Sequence, residues 1–210
     1  MAGYQGWFTS EGDGADRGWH HYEKNGKFEP GSTNVDFWPD ITEYSKKYKT
    51  AFKYGDGSDS YVYSPYDEES VDLHFKWMSD YGIDGVFMQR FVSEIKSTKG
   101  KQHFNKVLTN ALKAAQKYKK AICVMYDLSG SSSADMQVVL NDWNELQQLF
   151  SLFDNVQNPT YLRHNKKPLV VIWGVGFSDG RKYTIADIQT LVSGLKGTTK
   201  KVSVMLGVPY

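Results

Sequence analysis

The sequence predicts an α/β fold in which parallel strands alternate with helices. Apolar runs of strand length are separated by segments with helical periodicity, in the order β, long loop, α, β, α, β, α, β, α, β. Alternation of this kind indicates parallel strands joined by right-handed crossovers. With 210 residues the chain is long enough to bury a core of its own.

The stretch from Gly82 to Glu94 contains the most informative strand. A helix ends at Gly82, and the apolar residues 86–88 that follow are typical of a strand buried on both faces. Polar side chains, Gln89 and Arg90, come directly after it. Because ligands of parallel α/β sheets bind beyond the carboxyl ends of the strands, this pattern predicts part of a binding site.

The other elements follow from the same periodicities. Besides 86–88, strands are predicted at 2–8, 121–126, 169–173 and 202–206, and a short extended segment at 61–63. Helices are predicted after an N-cap at Asp67, over 104–118 and 136–150, and after a capping box at Thr184–Asp187.

A long polar and glycine-rich segment, at about residues 9–60, separates the first strand from the first helix. Disordered segments are poor in aromatic residues, whereas this one contains Trp19, Tyr22, Phe37 and Trp38. We therefore expect an ordered loop that packs over one end of a single domain spanning residues 1–210.

Two architectures fit five parallel strands: an open doubly wound sheet and a (β/α)8 barrel. No strand–helix junction carries GxGxxG or GxxxxGK[ST], the usual nucleotide-binding reasons for an open sheet. The apolar strand at 202–206 would leave an exposed edge if nothing followed it. The sequence thus predicts the first five units of a TIM-barrel-type (β/α)8 fold, the amino-terminal part of a longer barrel, with a complete five-stranded open sheet as the alternative.

Composition excludes several partners. The 25 basic and 24 acidic residues nearly cancel, so no electrostatic footprint for nucleic acid is present. No apolar run reaches the 18 residues of a transmembrane helix, and no signal peptide is visible. The single Cys123 is expected to be a small core residue. Six Trp and 14 Tyr are compatible with sugar binding, because aromatic faces pack on the C–H faces of sugars, or with a large aromatic core.

Candidate site residues lie near the predicted strand ends. Asp127 and Glu94 are the candidate catalytic carboxylates, since glycoside hydrolysis normally needs two. Asp127 would otherwise cap the serine-rich turn at 129–133. Arg90 would pair with Glu94, Asp127 or a ligand, or form a buried structural ion pair. The predicted substrate-binding residues are Tyr4, Trp7, Trp19, His20, Gln89, Arg90, Tyr126, Trp173 and Tyr210.

No metal or cofactor is expected from the sequence. His20 and His21 lie near Asp13 and Asp16, but adjacent histidines rarely bind one ion together and the spacing matches no zinc motif. Asp13 and Asp16 lack the ligand series of a calcium loop. The serines at 129–133 are not part of a GxSxG nucleophile elbow.

Several segments together resemble one family. They are Tyr4-Gln-Gly-Trp-Phe8, the segment from Gly12 to Trp19, Val71–Trp77, Gly82–Phe91 and Met125-Tyr-Asp-Leu-Ser-Gly130. In these segments the chain is similar to bacterial glycoside hydrolase family 71/99-like proteins, of the type labelled as xylosidases in Bacteroides-type gut bacteria. The similarity runs over nearly the whole chain, and Gly82–Phe91 is its most specific part.

The resemblance implies a (β/α)8 barrel, export from the cytoplasm and a hydrolase of mannosidase or xylosidase type that acts on an oligosaccharide or polysaccharide. The catalytic glutamates of family 99 lie beside a tryptophan, late in the barrel. This chain contains no Glu-Trp-x-Glu. Either those residues lie beyond Tyr210 or this branch uses different chemistry, so the activity of the 210 residues alone is in question. A non-catalytic glycan-binding protein and an intracellular α/β protein that binds another metabolite are the competing functions.

Overall fold

Five parallel strands in chain order form the centre of the fold. The computed structural model describes residues 1–197 and 202–209. Along the chain its elements are β1 (Ala2–Tyr4), β2 (Tyr48–Lys53), β3 (Asp59–Val62), α1 (Glu68–Asp80), β4 (Gly85–Phe91), α2 (Val92–Ile95), α3 (Thr98–Tyr118), β5 (Ala121–Asp127), a 3-10 turn (Ser133–Asp135), α4 (Met136–Phe150), β6 (Arg163–His164), β7 (Lys167–Trp173), α5 (Ile185–Lys196) and β8 (Ser203–Gly207).

The main sheet has the order β1-β4-β5-β7-β8, and each of these neighbouring pairs is parallel. The short β6 pairs antiparallel with β7, and β2 and β3 form a separate hairpin. The predicted parallel alternation is therefore confirmed. Within the described residues, the outer edges of β1 and β8 have no partner strand.

Side chains alternate between the two faces of the sheet. One face packs against the helices and forms the main core, with Val86, Val124 and Ile172 fully or almost fully buried. The other face carries a smaller apolar cluster of Cys123, Met125, Leu169 and Val171, with Phe87 packed against it. Since successive residues of a strand point to opposite faces, this alternation determines which predicted site residues reach the second face.

Close contact between β4 and β5 depends on Gly85. A Cβ atom at this position would lie 2.2 Å from the carbonyl oxygen of Ala121, its register partner. Any side chain would therefore push the two strands apart. Gly82, with a φ of 73°, ends the turn after α1 in a left-handed conformation that glycine adopts without strain.

A buried ion pair connects the sheet to two helices. Arg90 of β4 donates from Nε and Nη2 to the two carboxylate oxygens of Asp142 in α4, both at 2.7 Å. Tyr126 of β5 donates its hydroxyl to the same carboxylate at 2.7 Å, and Asn105 of α3 accepts a bond from Arg90. Because four elements meet at one pair of charges, the Arg90–Asp142 pair sets how the helix layer sits on β4 and β5.

The helix ends agree with the sequence in part. The capping box at Thr184 and Asp187 is present, and α4 begins and ends at the predicted residues. Asp67 occupies the predicted N-cap position of α1, but its side chain does not make the expected capping hydrogen bond. The carboxylate instead accepts bonds from Lys46 and from the hydroxyl of Tyr48, both in the long loop.

The segment at 9–60 is held by its own small core. Tyr22, Phe28 and Val62 are buried there. The surrounding rings are Phe8, Trp19, Trp38, Tyr48 and Phe52. The predicted extended segment near 61–63 is found as β3, whereas its partner β2 was not predicted. No helix of the described residues combines the length and the apolar character that spanning a membrane requires.

His103 attaches α3 to the end of β1. Its Nε2–H donates to the carbonyl oxygen of Gly6 at 2.9 Å, and its ring stacks on Tyr66. Its Nδ1 has no hydrogen-bond partner among the described residues. Burial lowers the pKa of His103 to about 4, because the charged imidazolium would lose its hydration.

We expect Asp142→Ala to lower the free energy of unfolding by about 3–5 kcal/mol, because it leaves the Arg90 charge buried and unpaired. Denaturant unfolding measures the change. Glu145→Ala is the matched control: Glu145 lies on the same helix and pairs with Lys101 of α3 at the surface, so its loss should cost about 0–1 kcal/mol. Equal losses for both variants would contradict the assigned role of the buried pair.

In the unfolded chain His103 should be protonated near its ordinary pKa of about 6.5, which is a higher pH than the folded chain requires. Stability from this residue is therefore present above pH 6.5 and falls as the pH falls towards 4. When the pH is lowered from 7 to 5, the free energy of unfolding should fall by up to about 2 kcal/mol less in His103→Gln than in the parent chain. Urea unfolding at both pH values measures this, with exposed His164→Gln as the matched substitution. A parent-like dependence in His103→Gln would rule the assignment out.

Candidate functional site: a cleft on the inner face of the sheet

A cleft of about 390 Å³ lies against the sheet face that points away from the helices. It runs towards the carboxyl ends of the strands, where ligands of parallel sheets bind. Its lining combines apolar residues with amides and one indole: Gly3, Gln5, Phe87, Gln89, Met125, Val171, Trp173, Met205 and Gly207.

Gln89 and Asp127 form a polar pair at the end of β4 and β5. The Gln89 side-chain amide donates to Oδ2 of Asp127, and the backbone N–H of Ser129 donates to Oδ1 at 2.8 Å. Asp127 is only 3% exposed. It therefore caps the turn after β5, the alternative that the sequence left open, and at the same time orients Gln89 beside the cleft.

Trp173 provides the exposed aromatic surface of the cleft. The residue is 39% exposed and contacts the ring of Phe177 at 5.6 Å between centroids. Its ring lies over Gly207 of β8, where a Cβ atom would approach Trp173 Cε3 to 2.2 Å. Gly207 thus leaves room for the indole against the neighbouring strand.

Glu94 belongs to a different group, which faces the long loop. Its Oε2 accepts bonds from Arg17 Nη2 at 2.5 Å and His20 Nε2 at 3.1 Å, and its Oε1 lies 2.6 Å from His21 Nε2. Burial acts to raise the pKa of Glu94, but hydrogen bonds from His20, His21 and Arg17 outweigh it and hold the pKa well below its usual range. The carboxylate is thus kept ionised.

Trp7 stacks against two rings that also contact each other. Its centroid lies 4.8 Å from that of Phe91 at the end of β4 and 5.1 Å from that of His21 in the loop. This stack attaches the loop to the strand end beside the Glu94 group. Trp19, by contrast, packs on Phe28 inside the loop core, 5.2 Å between centroids.

Three predicted substrate-binding residues face the helices and not the cleft. The Tyr4 hydroxyl is hydrogen-bonded to Nδ1 of His74. Arg90 pairs with Asp142, and Tyr126 is fully buried. The physical reason is the two-residue alternation of a strand, which sends Gln89 and Asp127 to one face and Arg90 and Tyr126 to the other. In the structure these three residues make structural contacts away from the cleft, and their role in substrate binding stays a prediction. Tyr210 lies outside the described residues.

Gln5, Arg17 and His21 contribute to these groups and were not among the predicted site residues. Gln5 follows β1 with the same parity as Gly3, so strict alternation from Gly3 would have found it. Arg17 approaches Glu94 across 77 residues of sequence. No local pattern reports such a contact.

The arrangement can bind a polar ring better than it can transfer a proton. A general acid needs a carboxyl group with a raised pKa. Glu94 has a lowered one, and both oxygens of Asp127 already accept hydrogen bonds. An indole face beside two amide side chains, by contrast, matches the apolar and polar surfaces of a sugar. The roles of Asp127 and Glu94 as catalytic groups remain predictions.

Gly207→Ala should displace the Trp173 indole, lower the free energy of unfolding by about 1–3 kcal/mol and shift the tryptophan fluorescence. Gly3→Ala is the control in the same cleft, because a Cβ atom there would meet nothing within 4 Å. Its effect should stay within about 0.5 kcal/mol. If the two variants were equally stable and had the same emission, the contact between Gly207 and Trp173 would not constrain the ring.

Comparison with known proteins supports the barrel architecture. No family model and no curated protein matches the chain. Two solved structures of the GH99 endo-alpha-mannosidase from Bacteroides thetaiotaomicron do match. One, in complex with bis-tris-propane, has a TM-score of 0.60 at 14% identity and covers 98% of this chain and 51% of the other. The second has a TM-score of 0.52 at 13% identity and covers 82% and 44%.

The chain spans about half the length of these solved relatives. At this level of identity the similarity concerns the fold. The predicted resemblance is confirmed in that sense, and the open-sheet alternative is set aside. The five parallel strands of this chain and the helices that connect them have the architecture of a partial TIM barrel of the kind seen in GH99 glycoside hydrolases.

Proposed function

We propose that this chain supplies the glycan-binding surface of a glycoside hydrolase of the mannosidase or xylosidase type. The observation that carries the proposal is the exposed Trp173 ring beside Gln89 in a cleft at the carboxyl ends of the strands. The name of the solved relatives, endo-alpha-mannosidase, supports a glycan as the ligand. Export from the cytoplasm remains a prediction of the family resemblance.

Sugar recognition at this cleft would use two kinds of contact. The indole of Trp173 offers a flat apolar face for the C–H side of a pyranose. The amides of Gln5 and Gln89 offer donors and acceptors for hydroxyl groups, and Asp127 orients the amide of Gln89. Met125 and Val171 close the floor with apolar surface, so that a bound ring is partly removed from water.

A non-catalytic glycan-binding protein is the second candidate. The observation that favours it is the state of the two candidate carboxylates. Glu94 is paired with Arg17 and two histidines, and Asp127 caps a turn. Neither has the environment of a general acid. Hydrolysis would then require carboxylates other than these two.

Binding of manno- and xylo-oligosaccharides, measured by calorimetry and tryptophan fluorescence, tests the proposal. Trp173→Ala should weaken binding about tenfold or more, since it removes the apolar platform. Tyr81→Ala is the matched control, because Tyr81 is an aromatic residue 81% exposed that does not line the cleft. Absence of binding to every oligosaccharide, or equal losses in both variants, would overturn the proposal.

Release of reducing sugar from the same oligosaccharides separates the two candidates. Turnover by the chain would support the hydrolase, and Asp127→Asn should then reduce it. Binding without turnover would favour the second candidate for these 210 residues.

A further inference from the structure

His20, His21 and Glu94 form a compact group of potential metal ligands, here called the His–Glu cluster. One nitrogen of each imidazole and one oxygen of the carboxylate lie within 4.8 Å of one another. The side chains are between 14% and 33% exposed, so the group is open to solvent on one side. It lies beside the Trp7–Phe91 stack, outside the residues that line the cleft.

The backbone brings the two adjacent histidines together. His21 has a φ of 64°, a left-handed conformation that non-glycine residues rarely adopt. Side chains of consecutive residues normally diverge, but this turn places the two imidazole rings 4.5 Å apart between centroids. The general objection to neighbouring histidines as ligands of one ion therefore does not apply to this geometry.

Each side chain of the His–Glu cluster also contacts residues outside the cluster. The His21 ring stacks on Trp7 and lies nearly parallel to Phe91, at 15°. Nδ1 of His20 lies 3.9 Å from a carboxylate oxygen of Glu23, within ion-pair range but too far for a hydrogen bond. Arg17 holds Oε2 of Glu94 at 2.5 Å and leaves Oε1 directed at His21.

We propose that the His–Glu cluster binds a divalent first-row transition-metal ion, with Zn²⁺ as its representative. The ligands would be Nε2 of His20, Nε2 of His21 and Oε1 of Glu94, while Arg17 stays on Oε2 as the outer partner of the carboxylate. Two imidazoles with one carboxylate suit Zn²⁺ and not Mg²⁺ or Ca²⁺, which prefer oxygen ligands. Three protein ligands leave the fourth position of a tetrahedral ion to water.

The positive charge of Arg17 determines which oxygen of Glu94 can bind the ion. Arg17 carries a positive charge next to Oε2, which His20 Nε2 also contacts at 3.1 Å, so a cation would approach from the Oε1 side, where the His21 imidazole lies. Glu94 therefore binds through one oxygen. The ion would cross-link the loop, which carries both histidines, to α2, which carries Glu94. Binding should consequently stabilise the folded chain, independently of whether a glycan binds in the cleft.

The untagged 210-residue chain, treated with chelator, is titrated with Zn²⁺ by calorimetry and heated with and without the ion. We expect one ion per chain and a raised melting temperature. His20→Ala and Glu94→Gln should each weaken binding at least about tenfold. His164→Ala, which removes a histidine outside the cluster, should leave the affinity unchanged. No saturable binding, or the same loss in His164→Ala as in His20→Ala, would overturn the proposal.

A second measurement does not depend on folding of the variants. Co²⁺ added to the unaltered chain should give the intense visible absorption of a tetrahedral ion, and Zn²⁺ should displace it in a one-to-one ratio. A weak spectrum like that of the hydrated ion would contradict the proposed tetrahedral coordination, even if some Zn²⁺ remained bound.

Discussion

The ion pair between Arg90 and Asp142 is the interaction on which the arrangement of the sheet and its helices depends. It satisfies two buried charges with each other and with Tyr126 and Asn105. A charge at this depth is tolerated only when its partners are in place, so small shifts of α3 or α4 against β4 and β5 are unfavourable. The same geometry holds the ends of these strands in register. Gln89 and Asp127, one residue away on each strand, are thereby positioned on the opposite face.

Much of the fold could be predicted because its helices and strands follow from short-range periodic patterns in the sequence. The helix at 136–150 and the capping box at Thr184 depend on neighbours three or four residues apart, and both were found where expected. The faces of the strands were harder to predict. A strand buried on both sides reads as one apolar run, so Tyr126 and Asp127 look alike as strand-end residues although they point in opposite directions.

The candidate site was predicted less well than the fold because its contacts are distant in sequence. Glu94 was correctly placed near a strand end, but its partners lie more than 70 residues earlier in a loop without periodicity. The two predicted parts of the site, the cleft residues and Glu94, therefore lie in separate groups with different roles, which the sequence could not reveal. The cleft combines an indole with amides, whereas the ionised carboxylate of Glu94 serves to anchor the loop.

The strands of the main sheet follow one another in space in the same order as in the chain. Each unit therefore docks on a neighbour that was synthesised before it, and no strand has to wait for a distant partner to insert between two others. Pairing between consecutive units closes shorter loops than pairing between distant ones, so this topology favours stepwise growth of the sheet from one unit to the next. Within the described residues β8 forms an outer edge of this sheet and carries the exposed side chains of Met205 and Leu206, the kind of apolar edge that is prone to pair with another strand.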